Sequence, residues 1–212
     1  LLFNNLNRFC TPVLIWIITG ILSGCSSSSS SITLEGDTRS VEVIGASNEL
    51  SHKSWKDERI GLGIQALLAE ALFETGRFKL LEVKPEIEQK RREIAKGMWA
   101  GIYKESDIIE FLDQSESEYQ AWAKVIYFGQ PTSSASAGII HHSTQSAVIR
   151  TEVVIYQKSS EKRWRATGEG KSSTAASSVV FTFQGDNVDF DQANIGNALR
   201  ESLKDAVGKI FK

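Results

Sequence analysis

Cys25 is the side chain in this 212-residue sequence best placed for a defined covalent chemistry. It closes the series Leu22-Ser23-Gly24-Cys25, behind the charge-free run from Val13 to Leu22. That run is well short of the ~20 residues that cross a bilayer as a helix, and small residues stand directly before the cysteine. The pattern predicts a lipoprotein signal peptide over residues 1–24 and a Cys25 thiol that becomes acylated. An uncleaved N-terminal anchor is the alternative, and it too leaves the remaining residues outside the inner membrane. Ser26 to Ser31 buries no apolar area and reads as a flexible tether, so residues 25–39 form a lipidated linker. Ser26, not Asp, follows the cysteine, a pattern that resembles lipoproteins sorted to the outer membrane. The expected location is the outer membrane, lipid-anchored and facing the periplasm.

Other candidate chemistries fail on spacing. Cys10 leaves with the signal, so an acylated Cys25 leaves no thiol for a disulfide, a thiolate metal site or a nucleophile. Gly170-Lys171-Ser172 lacks the earlier glycine of a phosphate loop, that position being Arg165. His141 and His142 are adjacent, so on a strand they point to opposite faces and cannot chelate one ion as a pair. His52 stands alone beside Lys53, and Asp186, Asp189 and Asp191 lack the later glutamate of a calcium loop. No Gly-x-Ser-x-Gly elbow marks a serine. The reading is a non-enzyme with no metal and no cofactor. The segment after residue 24 carries 23 basic against 26 acidic side chains, which gives no support to nucleic-acid binding.

The elements that follow are legible from their periods. Ile60, Ile64, Leu67, Leu68, Ala71 and Leu72 recur at helical spacing and end at Gly76, a C′ glycine. Arg77 to Val83 reads as a strand. Pro85 opens a charged helix to about Gly97, with a solvated face, and Ser106 is the candidate N-cap of a short helix to Leu112. From Tyr119 the period becomes 2. Ala147 to Gln157 and Arg163 to Glu169 then form a hairpin, and Ser40 to Ile44 is an early strand. Ile195, Leu199, Leu203, Ala206, Val207 and Ile210 face one side of a closing helix. This order predicts an α+β domain over residues 40–212, with helices packed on one face of a mostly antiparallel sheet. Two insertions interrupt it, 129–146 and 171–191. The first carries Ile139 and Ile140, and in the second Val179, Phe181 and Phe183 alternate before the turn residues Gln184-Gly185-Asp186-Asn187, followed by Val188 and Phe190. These are membrane-hairpin candidates, since a barrel strand needs ~9–11 residues with outward apolar alternation; ordinary surface hairpins are the other reading.

The stretch Gly61-Leu62-Gly63-Ile64-Gln65-Ala66-Leu67-Leu68-Ala69-Glu70-Ala71-Leu72-Phe73-Glu74-Thr75-Gly76-Arg77-Phe78-Lys79-Leu80-Leu81-Glu82 resembles the helix, TGRF and strand signature of the curli production assembly/transport component family, the CsgG-like lipoproteins. Tyr119 to Gly129, Val148 to Tyr156, Arg163 to Gly170 and Ile195 to Ile210 follow in that family's order. Related periplasmic domains, among them penicillin-binding-protein activator lipoproteins, share the helix and strand opening. The resemblance implies a homo-oligomeric secretion channel in the outer membrane, each subunit lending two β-hairpins to one barrel and passing a secreted protein cargo. It also implies a constriction loop corresponding to Gly45 through Arg59, where Asn48 and Trp55 are the candidates; a solvated loop with Trp55 packed on the domain is the other reading. The alternative is a tethered periplasmic module of the same fold that docks on an envelope protein without a pore.

Overall fold

The computed structural model describes residues 38–212 except 81–84, 113–114, 138–139, 175–180, 186 and 191–193. The signal peptide, Cys25 and the tether lie outside the described residues, as do Ile139 and Val179.

The first strand, β1 (Arg39–Asn48), runs on past Ile44. A 3₁₀ turn at Lys53–Trp55 leads to α1 (Glu58–Glu74). Asp57 caps α1 by accepting from the Arg59 N–H at 3.0 Å. The helix ends where Gly76 takes a φ of 66°, a conformation open to a residue without Cβ. Next come β2 (Phe78–Leu80), α2 (Pro85–Trp99) and α3 (Glu105–Leu112). The expected Ser106 cap is not used. Helix α3 starts one residue earlier, and the Asp107 carboxylate accepts from the Lys104 N–H at 2.9 Å.

Four strands follow: β3 (Tyr119–Gly129), β4 (Thr132–Ala137), β5 (Ile140–Gln157) and β6 (Lys162–Thr174). A separate two-stranded hairpin, β7 (Thr182–Gln184) and β8 (Asn187–Asp189), precedes α4 (Asn194–Ile210). The main sheet is ordered β2-β1-β3-β5, with β6 on the far side of β5 and β4 continuing the line of β3 along the start of β5. It is mixed where a mostly antiparallel sheet was expected, because β1 pairs in parallel with both β2 and β3. Those pairings need crossovers, and α1, α2 and α3 supply them. Period-2 patterning shows that a strand exists but not its direction.

Helices cover both faces of the sheet, another departure from the one-faced expectation. On one face Val41, Val43, Ala121, Ala123, Val153 and Ile155 meet α1 and α4. On the other, Ile44, Trp122, Val154 and Tyr156 meet Met98 of α2 and Ile108 of α3. Each large aliphatic side chain buried in α1 contributes about 1.5–3 kcal/mol, and five of them, Ile60, Ile64, Leu67, Leu68 and Leu72, lie on its inner side.

Helix α4 lies directly on the backbone of β6. A Cβ at Gly168 would stand 2.0 Å from the Ser202 carbonyl oxygen, and one at Gly170 would stand 1.9 Å from that of Ala198. Gly170-Lys171-Ser172 is therefore strand, and its glycine serves helix packing. Buried Ser202 ties the layers together, bonding the Thr151 N–H at 2.9 Å and the Gly168 carbonyl at 3.1 Å. The outer edge of β6 is occupied as well. Glu201 accepts from the Lys171 N–H at 3.2 Å, Asp205 from the Glu169 N–H at 3.0 Å, and Lys209 donates to the Thr167 carbonyl at 3.0 Å. Four helical residues rise about 6 Å and two strand residues about 6.6 Å, so this row matches alternate positions of the strand. The side chains take the place of a neighbouring strand and blunt the edge.

Candidate binding crevice

The loop from Gly45 to Arg59 is fixed by its own polar groups. Asn48, half-buried at the end of β1, donates to the Trp55 carbonyl at 2.8 Å and accepts from the Leu50 N–H at 2.8 Å. The Trp99 indole donates to the same carbonyl at 2.9 Å. Trp55 has no exposed surface and lies among Trp99, Phe128 and Phe181. Both candidates thus act within the protomer, Asn48 as a loop staple and Trp55 as core.

The second insertion folds onto this aromatic cluster. The Phe181 ring meets Trp55 edge-on at 5.4 Å and Phe190 at 6.1 Å. Arg59 stacks 4.0 Å from the Phe183 ring centre and donates to the Gly185 carbonyl at 3.2 Å. It also pairs with Asp57 at 2.6 Å, and its guanidinium holds that carboxyl below the ordinary value. Phe190 is 5 % exposed. Gly63 and Gly196 make room for it, since a Cβ on the former would stand 2.1 Å from the Phe190 ring and one on the latter 1.8 Å from its carbonyl oxygen. Val188 packs against the same core. The four described apolar side chains of the insertion are therefore spent on the domain itself. Ile140, in the first insertion, opens β5 opposite Ala137, and the hairpin around it pairs Ser134 with Ser143 and Ser136 with His141. His52 is exposed and caps the 3₁₀ turn. Among the described residues no group of three His, Cys, Asp or Glu could hold a metal, and no helix is long and apolar enough to cross a membrane.

Clefts indent the described surface beside α2. The C-terminal half of this helix is buried through Ala95, Met98 and Trp99, where Gly45 lets the Ala95 backbone approach. Its N-terminal half stands over a charge pair. Glu42, on the β1 face turned toward α2, is 6 % exposed, and its Oε1 meets Arg91 Nε at 2.5 Å. The Ser115 hydroxyl donates to its other oxygen. Two clefts flank this pair. One, of about 340 Å3, runs between α1 and α2 past Leu62, Ala66, Ala69 and Leu80. The other, of about 330 Å3, lies between α2 and α3 and is walled by Ile44, Ile87, Ile94 and Phe111. Apolar walls around a few converging polar groups suit ligand binding, and both volumes lie at the small end of the range of such sites.

Sequence reasoning missed this place. Glu42 alternates with Val41 and Val43 and so reads as a solvent-facing residue, until α2 covers it. Charged residues dominate α2, which reads as a solvated helix. The available signal was Ile87 and Ile94, one heptad apart on that charged helix and separated by Lys90 and Arg91.

No family model and no curated protein matches the chain. Solved structures with a related outline include lipoprotein GNA1162 from Neisseria meningitidis, at 16% identity over 66% of this chain and 87% of that one, with a TM-score of 0.43. The hypothetical protein CT253 from Chlamydia trachomatis matches at 11% identity over 82% and 96%, with a TM-score of 0.47. The PelC dodecamer from Paraburkholderia phytofirmans matches at 9% over 85% and 93%, with a TM-score of 0.44. At these identities and scores the likenesses assign no function.

Proposed function

We propose that the chain is a lipid-anchored protein of the bacterial envelope whose α+β domain works as a tethered binding module, held by acylated Cys25 and the serine run, without catalysis. The observation that carries this reading is the placement of the second insertion. A channel subunit with two membrane hairpins needs strands of ~9–11 residues that present apolar side chains outward. Here β7 and β8 have three residues each, and Phe181, Phe183, Val188 and Phe190 pack on the domain. The crevice beside α2 then offers a surface for recognition that needs no ring of subunits. An envelope protein is the expected class of partner.

The curli-like export channel is the second reading, and one observation favours it. Strand β5 has 18 residues, and its first part pairs with β4 beyond the reach of β6, so the first insertion extends the sheet as a long hairpin. Its sequence nevertheless supplies Ser, Thr, Ala and His where lipid contact asks for an apolar face. A single deletion variant separates the two readings. Pro131 and Ser146 close the hairpin base through a 3.1 Å hydrogen bond, so residues 131–146 can be replaced by an Asn-Gly turn. Prepared from residue 38 onward, without the lipidated cysteine, the tethered module keeps its folded signature and stays monodisperse without detergent, both with the hairpin and without it. A domain that precipitates without detergent until the hairpin is removed would favour the channel.

A further inference from the structure

We infer that α2 consists of a fixed half and a releasable half, and that the pair of Arg91 with Glu42 is the latch that docks the releasable half on β1. The fixed half is residues 95–99. Ala95, Met98 and Trp99 are buried, and the Trp99 indole donates to the Trp55 carbonyl. Glycines let neighbours close in around this half. A Cβ at Gly61 would stand 2.7 Å from the Trp99 Cβ, and one at Gly97 would stand 2.4 Å from the Tyr103 ring. Residues 85–93 are packed differently. Pro85, Ile87, Glu88, Gln89, Lys90 and Glu93 are exposed, Ile87 by 44 %. Clefts of about 340 and 330 Å3 open on the two sides of this half, and Glu42 and Arg91 line both of them.

The latch is ionic, and its chemistry decides how it behaves. With α2 docked, Glu42 is buried and its two oxygens are engaged, one by Arg91 and the other by Ser115. Undocking returns the carboxylate and the guanidinium to water, and the hydration regained offsets much of the attraction lost. An apolar contact makes no such return, because opening it exposes apolar surface to water. The pair therefore fixes where the half-helix lands while letting it lift. Lys90 and Arg92 have partners as well, but Lys90 is exposed and Arg92 only half-buried, where such contacts hold weakly. Exposed helix with little buried apolar area is the kind of segment that opens without global unfolding. Lifting residues 85–93 removes the partition between the two clefts and joins them along residues 41–44 of β1, whose side chains line one cleft or the other. The device belongs to the fold and stands whether or not the crevice binds an envelope protein.

The test is hydrogen exchange of the full-length protein in mild detergent, followed by mass spectrometry. The amides of residues 89–93 should exchange at least tenfold faster than those of residues 95–99. Simple fraying of a helix end would do the same, so the latch is tested by two variants that move the rate in opposite directions. Glu42→Met together with Arg91→Met replaces the ion pair by an apolar contact and should slow exchange at residues 89–93 at least tenfold, with α4 unchanged. Glu42→Gln keeps the volume, removes the charge and should speed it at least tenfold, again with α4 unchanged. Equal protection of the two halves in the native protein would overturn the proposal, as would a double variant that exchanges no slower at residues 89–93. Should the double variant lose protection throughout α4, and so fail to fold, Glu42→Gln decides alone: unchanged exchange at residues 89–93 would overturn the latch.

Discussion

Phe190→Ala is the perturbation that bears most directly on how the second insertion is used. The ring is 5 % exposed, and two of its neighbours are glycines that have no side chain to move into the vacated space. Truncation of a buried Phe costs about 3–5 kcal/mol, and a site that cannot collapse belongs at the upper end. For an m value of about 2–3 kcal/mol per molar, the urea midpoint of the domain from residue 38 onward should fall by about 1–2 M. Gly63→Ala isolates the contact with the ring. In an ordinary helix interior this change stabilises by about 1 kcal/mol. Here the new methyl would stand 2.1 Å from the Phe190 ring, so in the native background it should destabilise by about 1–3 kcal/mol. In the Phe190→Ala background the obstruction is gone, and the sign should reverse. Equilibrium unfolding of the four proteins in the cycle measures the coupling, expected at about 2–4 kcal/mol. An effect of Gly63→Ala that is the same in both backgrounds would refute the inward packing of the insertion.

Further outcomes are expected at the sheet and its edge. Gly170→Ala would drive a methyl into the Ala198 carbonyl and should lift α4, seen as loss of amide-exchange protection along that helix. Ser202→Ala removes the buried partner of the Thr151 N–H and should cost about 1–3 kcal/mol in chemical denaturation. Arg91→Met leaves Glu42 buried without its cation and should destabilise by about 3–5 kcal/mol, more than the double change with Glu42→Met. Glu169 accepts from Lys171 first and from Arg150, which pull its carboxyl from 4.5 down to about 2. Burial pushes the Asp205 carboxyl up, but hydrogen bonds from Lys209 and the Glu169 N–H outweigh this and hold it below its ordinary value. Because the folded-state values are depressed, this stabilisation is present above about pH 4.5 and is lost as the pH falls toward 2. Glu169→Gln should flatten that part of a stability-against-pH curve, and salt should do so partly.

Much of the fold was legible because the relevant signals are local. The 3.6-residue period and Gly76 mark α1, the 2-residue period marks β3, β5 and β6, and Pro85 marks the start of α2. What escaped depends on contacts between segments far apart in sequence. Strand direction in β1 follows from crossovers, and the covering of Glu42 follows from where α2 lands. Phe181, Phe183, Val188 and Phe190 alternate equally well for a lipid face and for packing on Trp55, and what decides between them is the room left at Gly63, far away in sequence, and at Gly196. Trp55 leaves two readings open in the sequence, a pore-lining side chain or one packed on the domain, and its place among Trp99, Phe128 and Phe181 is the second.

Whether the protein is a tethered module or a channel wall is decided by the native mass of the full-length protein together with a negative-stain image. Extracted from cell-envelope membranes in mild detergent, the protein should appear as a monomer or small oligomer with no central opening. Closed rings around a stain-filled opening would contradict the tethered module and return both insertions to the role of barrel strands.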